Sequence, residues 1–175
     1  MKNSCIDYFE EKDQPVDLKR LNGGLMKKED FVKAHSQLVI ACHDVFIKYD
    51  GGILLIKRDN LPAKDTPWPI GGRILRGVLT EDSLRWKVMS ECNLNLAKIK
   101  YLGTSRAGFT TEPFGHGKGT DCIALVYFAE GEGELKLDPL HRSPMIITPK
   151  KYTASFRKQL HPYVRDWMDV VIKLV

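Results

Sequence analysis

The stretch QLVIACHDVFIKYDGGILLIKRD, residues 37–59, constrains the fold more than any other, because it joins two β-rich runs through Asp50-Gly51-Gly52. Asp-Gly between apolar runs is a hairpin signal. The second run, Ile53 to Ile56, is apolar at every position and has no face to offer water. It is therefore expected as a central strand covered from both sides. A chain organised around such a strand needs helices on both faces of its sheet. The reading that follows is an α/β sandwich around a mixed sheet.

The remaining sequence supplies those layers. KKEDFVKAH, residues 27–35, carries a short helix expected over 28–36, and NLPAKDTP reads as a loop. Trp68 to Arg73 forms a short strand ending in two glycines. Thr80 serves as N-cap of a helix running to about Leu94, with Glu81 and Asp82 in the first turn, where the helix dipole favours acids. Leu84, Val88 and Leu94 define its buried side, and Asn93 takes the left-handed C-terminal position. Further strands are expected at Lys98–Gly103, Cys122–Ala129 and Glu134–Leu137, with a polar glycine-rich loop, GFTTEPFGHGKGTD, between the first two. Thr148-Pro149 opens one helix in the cap-then-N1 arrangement. Pro162 opens another, with Val164, Trp167, Met168 and Val171 at helical spacing.

Residues 1–25 are polar, contain Pro15 and a Gly23-Gly24 break, and show no periodicity. They read as an N-terminal extension to a single domain over residues 26–175, with no internal repeat.

Charge and composition narrow the partners. The chain is 43% hydrophobic and carries a net charge of +5, with a pI near 9.0. No run of five or more basic residues forms a nucleic-acid or anionic-lipid patch, so no nucleic-acid partner is expected. No segment approaches the roughly 18 unbroken apolar residues of a membrane span, and the N-terminus has no signal-peptide core, so no membrane association is expected either. Cys5, Cys42, Cys92 and Cys122 are widely spaced without a CxxC, which argues against a zinc knuckle or a disulfide framework and suits a reducing cytoplasm.

PWPIGGR, residues 67–73, places two glycines and an arginine just ahead of a helix, an arrangement that lets backbone approach an anion. The segment from Gly72 to Leu94 resembles a degenerate Nudix box, whose usual pattern is G-x5-E-x7-R-E-U-x-E-E-x-G-U with U a bulky apolar residue. Gly72, Val88, Glu91 and Leu94 match. Asn93 replaces the last glycine, Val78 and Lys87 replace glutamates, Trp86 replaces the arginine, and Ser90 replaces a metal-binding glutamate. The wider order of KKEDFVKAH, a strand with Asp44, IKRDNLPAKDTPWPIGGR, the reduced box and a later GTD resembles the GDP-mannose mannosyl hydrolase branch of that family over residues 27–130.

The resemblance implies a Nudix-type α/β/α sandwich and a cytoplasmic hydrolase of a nucleoside diphosphate sugar that is GDP-mannose-like. Water would attack the sugar carbon and the nucleoside diphosphate would leave. It further implies that Arg58 and Arg73 bind the leaving diphosphate, with Asp44 orienting or assisting and Trp68 in the substrate-binding motif. One Mg²⁺ (or Mn²⁺) would sit on Glu91 and the backbone carbonyl of Gly72, and the family suggests a homodimer. The base is expected at Asp121, which could instead be a metal ligand; His116 is the second choice and Glu112 the third.

Other readings stand beside these. Gly71-Gly72 could be a tight turn, Asp121 a turn cap, and Lys87–Glu91 an ordinary i,i+4 ion pair in which Lys87 takes the place of the metal. The whole domain could be a catalytically silent module that binds a nucleotide or nucleotide sugar. It could also be a conventional pyrophosphohydrolase drawing substitute ligands from the 110–121 loop.

Overall fold

The hairpin forms as its sequence dictates, with β3 (Ile40–Tyr49) antiparallel to β4 (Gly52–Arg58) and Tyr49 opposite Gly52. Asp50 and Gly51 both take positive φ, 46° and 72°, the backbone of a type I′ turn. The computed structural model describes residues 5–175. Ahead of the hairpin lie β1 (Glu10–Glu11), β2 (Gln14–Pro15), α1 (Leu18–Leu21) and α2 (Lys28–His35). After it come β5 (Pro67–Trp68), β6 (Ile70–Arg73), α3 (Thr80–Cys92), β7 (Asn95–Phe109), β8 (Thr120–Glu132), β9 (His141–Ile147), α4 (Ala154–Gln159) and α5 (Pro162–Val171).

β3 organises the sheet. β8 runs parallel to it along one edge, while β6 and then β4 pair antiparallel with successive halves of the other. β7 extends the sheet beyond β8, and β5 and β9 both pair with β4. Ile53, Leu54, Leu55 and Ile56 are fully buried, as a strand covered on both faces must be.

Neighbouring side chains of a strand point to opposite faces, and two of them identify the covering layers. His43 meets Ser83 of α3, whereas Asp44 meets Tyr163 of α5. Helices α3 and α5 therefore lie on opposite faces, which completes the α/β/α arrangement. Leu84, Val88 and Leu94 on one side and Val164, Met168 and Val171 on the other are all fully buried. The α5 stripe thus closes the chain's own core. Among the described residues, no helix is long and apolar enough to cross a membrane.

Three local expectations are corrected and one strand is added. Thr80 is the first helical residue and not the N-cap; Leu79 holds that place without a side-chain bond. The cap comes from a distant residue, Asp7, which accepts Thr80 N–H at 2.8 Å and Thr80 Oγ–H at 2.6 Å. Residues 134–137 form no strand. Lys136 and Asp138 instead donate their N–H groups to the carbonyls of Cys92 and Glu91 at the end of α3, groups that a helix terminus leaves unpaired.

The missing strand is β9, obscured in sequence by Pro144, which is exposed on it. Thr148-Pro149 opens a turn closed by Lys151 N–H on Thr148 O rather than a helix, since proline after a polar residue suits either structure. Helix α4 starts later, capped by Thr153.

Candidate functional site

Asp44, Arg58, Trp68, Gly72, Arg73 and Glu91 line one cavity of about 270 Å³, although they come from β3, β4, β5, β6 and α3. Asp44 stands at its floor, 8% exposed. Tyr163 O–H donates to its Oδ2 at 2.5 Å. Burial pushes the carboxyl up to about 6, against the opposing influence of the Tyr163 bond and the Arg58 charge.

The glycine pair is required by what stands over it. A side chain on Gly71 would overlap the Asp44 carboxylate and the His43 carbonyl, and one on Gly72 would press on Lys87 Cε and Nζ at 3.2 Å. The two glycines therefore admit a carboxylate on one face and an ammonium on the other. Among the described residues, Arg58 keeps a buried Nε without a partner, and its Nη2 reaches only Asn60 at 3.4 Å. Arg73 lies over the Phe31 ring at 3.7 Å, and burial lowers its pKa. Trp68 stacks on Tyr163 with centroids 5.2 Å apart and an interplanar angle of 15°.

Asp121 is not brought to this cavity. Thr120 and Cys122 line it, so the strand period of two turns Asp121 outward. There it takes Arg106 Nε at 3.0 Å and Nη2 at 2.7 Å, and that bond holds its pKa down. His116 and Glu112 also stand off the lining. Glu112 accepts the backbone N–H groups of Phe114, Gly115 and Gly117, and the Gly117 bond leads in holding its pKa down. His116 meets His35.

Glu91 faces two ways. Its Oε1 is 3.3 Å from Lys87 Nζ, which is the i,i+4 pair. Its Oε2 is buried without a hydrogen-bond partner among the described residues and lies 3.8 Å from His141 Nε2. Burial raises the Glu91 pKa, with Lys87 and His141 pulling the other way. His141 is in turn oriented by Asp138, Nδ1 to Oδ1 at 2.6 Å.

Asp121, paired with Arg106, does not join Gly72 and Glu91 in the cavity, and Lys87 stands close to Gly72. On the other side of Glu91 the donors do gather: Glu91, Asp138 and His141 each offer a ligand atom within 4.8 Å of the others. These three groups, a carboxylate with an orphaned buried oxygen, a second carboxylate and the imidazole it orients, fit one divalent cation. Sequence reading missed Asp138 and His141. Their only signal was an Asp-x-x-His spacing, which is common without a metal.

The mixed sheet between two helical layers, with an antiparallel glycine strand leading into a helix, is the fold of solved Nudix structures. No family model and no curated protein matches the chain. Solved structures with the same fold do. A MutT Nudix hydrolase from Burkholderia pseudomallei matches with TM-score 0.52 and 21% identity over 71% of this chain and 100% of its own. A MutT protein from Methanosarcina mazei Go1 gives 0.58 and 18% over 75% and 91%. A bifunctional NMN adenylyltransferase/ADP ribose pyrophosphatase from Francisella tularensis, complexed with AMP and a Mn ion, gives 0.58 and 12% over 83% of this chain and 44% of that one. At these identities the likeness establishes the fold.

Proposed function

We propose that this chain is a hydrolase of a nucleoside diphosphate derivative, with a GDP-mannose-like nucleotide sugar as substrate. The supporting observation is that Asp44, Arg58, Arg73 and Glu91, drawn from separate stretches of sequence, line one cavity. Arginine forks match phosphate oxygens. Arg58 and Arg73, joined by Lys87, offset the charge of a diphosphate that departs with the bonding electron pair. Asp44 is the base: ionised at neutral pH and buried beside Gly71, it takes a proton from the water whose oxygen bonds to the sugar carbon. Tyr163 fixes its orientation. Glu91, with Asp138 and His141, would hold Mg²⁺ or Mn²⁺, which when bound would supply positive charge behind the wall of the cavity that Glu91 forms.

Incubation of GDP-mannose with the protein and Mg²⁺ or Mn²⁺ in ¹⁸O-water tests this reading. Free mannose carrying the label, together with GDP, is expected. GMP and mannose phosphate would mean attack at phosphorus. That alternative finds little support in the 110–121 loop, where Glu112 serves backbone N–H groups and Asp121 serves Arg106.

One observation favours a second reading, a silent nucleotide-binding module: Lys87 stands where a box glutamate would be and pairs with Glu91. Nucleotide binding without turnover, unchanged in Glu91→Ala, would establish it.

A further inference from the structure

We infer that His35 is a ligand-binding residue, a neutral imidazole that His116 holds in the tautomer offering Nε2–H to an anionic phosphate oxygen beside Arg73. The inference rests on the anionic-nucleotide reading of the cavity and deepens it.

His35 ends α2, is 8% exposed, and lines the cavity. Its ring is wedged edge-on between Phe31 and Phe114, with centroids at 5.8 and 4.9 Å. Its Nδ1 lies 2.8 Å from His116 Nε2. The backbone settles which nitrogen carries the proton. His116 Nδ1 accepts Lys118 N–H at 3.1 Å, so the single proton of neutral His116 is on Nε2 and is donated to His35 Nδ1. With Nδ1 accepting, His35 must carry its own proton on Nε2. That atom has no protein partner among the described residues and is the one left for the cavity.

Glu112 strengthens the lock. Its carboxylate, 3.6 Å from His116 Nε2, favours a proton there, and by accepting three loop N–H groups it fixes the loop that carries His116. Protonating His35 would set N–H against N–H. Burial, the neighbouring His116 and Arg73 all resist that charge, and Glu112 opposes them.

A neutral donor suits this corner. Arg58, Arg73 and Lys87 already line the cavity as cations, and a fourth would be repelled, whereas a neutral N–H adds a hydrogen bond without a charge. His35 would contact the ligand, and His116 is its positioning residue.

Long-range ¹⁵N–¹H correlation spectra of histidine-labelled full-length protein, with GDP as the probe, test this. His35 is expected as the Nε2–H form with Nδ1 bare, and GDP should shift its Nε2 resonance. His35→Ala should weaken GDP binding roughly 5- to 10-fold, the scale of one hydrogen bond. His116→Ala should produce a similar loss and a mixed His35 tautomer, while His116→Gln, which keeps a donor, should restore one tautomer and most of the affinity. A His35 Nδ1–H form, or GDP binding that leaves the His35 resonances unmoved, overturns the His35 assignment while sparing the nucleotide reading. Failure of both GDP and GDP-mannose to bind overturns both.

Discussion

Asp44 is buried, acidic and pressed against a glycine, so folding and function pull on it in opposite directions. Its carboxyl titrates near 6 in the fold and near 3.9 in an unfolded chain. Between those values the folded state holds a proton that the unfolded state has lost, so stability falls as pH rises through that window and stays reduced above it. Asp44→Asn should therefore raise stability at pH 8 by about 1–3 kcal/mol and leave it unchanged near pH 3, as urea denaturation at the two pH values would show. The same variant should lose turnover. In the wild type, kcat/KM should rise as pH passes about 6, the limb on which the base ionises, and that limb should vanish in the variant. Gly71→Ala is the steric counterpart: its methyl would overlap Asp44, so GDP affinity and turnover should both drop by at least roughly tenfold, a displacement of a reacting group by an ångström or so. The residue-level signal was readable where chemistry and pattern agreed, as at Gly71, Gly72, Arg58 and Arg73. It failed where a role depends on a partner far along the chain. Nothing near His35 in sequence announces His116.

Helix α3 and strand β8 show why elements were legible while their edges and faces were not. The apolar positions of α3 and its Asn93 terminus, at φ 58°, follow from local pattern. Its start does not, because the group that caps it, Asp7, lies 73 residues away. Asp7→Ala should cost about 1 kcal/mol, the usual price of a lost N-cap, measurable as a lower urea midpoint with the slope unchanged. For β8 the existence of the strand was evident, yet its phase was not, since a strand one residue out of register presents the opposite face. Asp121 was expected in the site because the family resemblance puts a base at the start of this strand, and the phase of the strand turns it outward. Asp121→Ala should accordingly leave kcat/KM for the nucleotide substrate and the melting temperature as in wild type. A tenfold loss of kcat/KM would return Asp121 to the mechanism.

At the scale of the whole molecule, the central hairpin, the two helical layers and most of the sheet were foreseeable, because periodic burial writes them into the sequence, whereas β9 was not. The N-terminal stretch was not, because it has few apolar positions and its attachments are single contacts. Cys5 packs against the core, Asp7 caps α3, and α1 lies so close to Gly77 that a side chain there would come within 2.5 Å of Asn22 N. Gly77 belongs to the segment joining the glycine strand to α3, the two elements that frame the cavity. An appendage could be removed without consequence, whereas a segment that fixes this joint could not. We therefore expect the 26–175 chain to unfold in one transition, on the order of 2 kcal/mol less stable than the full chain, from the lost cap and the lost packing together. Its GDP affinity should fall as well, because the joint that aligns Arg73 with Glu91 is loosened. Calorimetric titration and thermal unfolding of the two chains side by side decide the matter: equal stability with equal affinity would make residues 1–25 a separable extension.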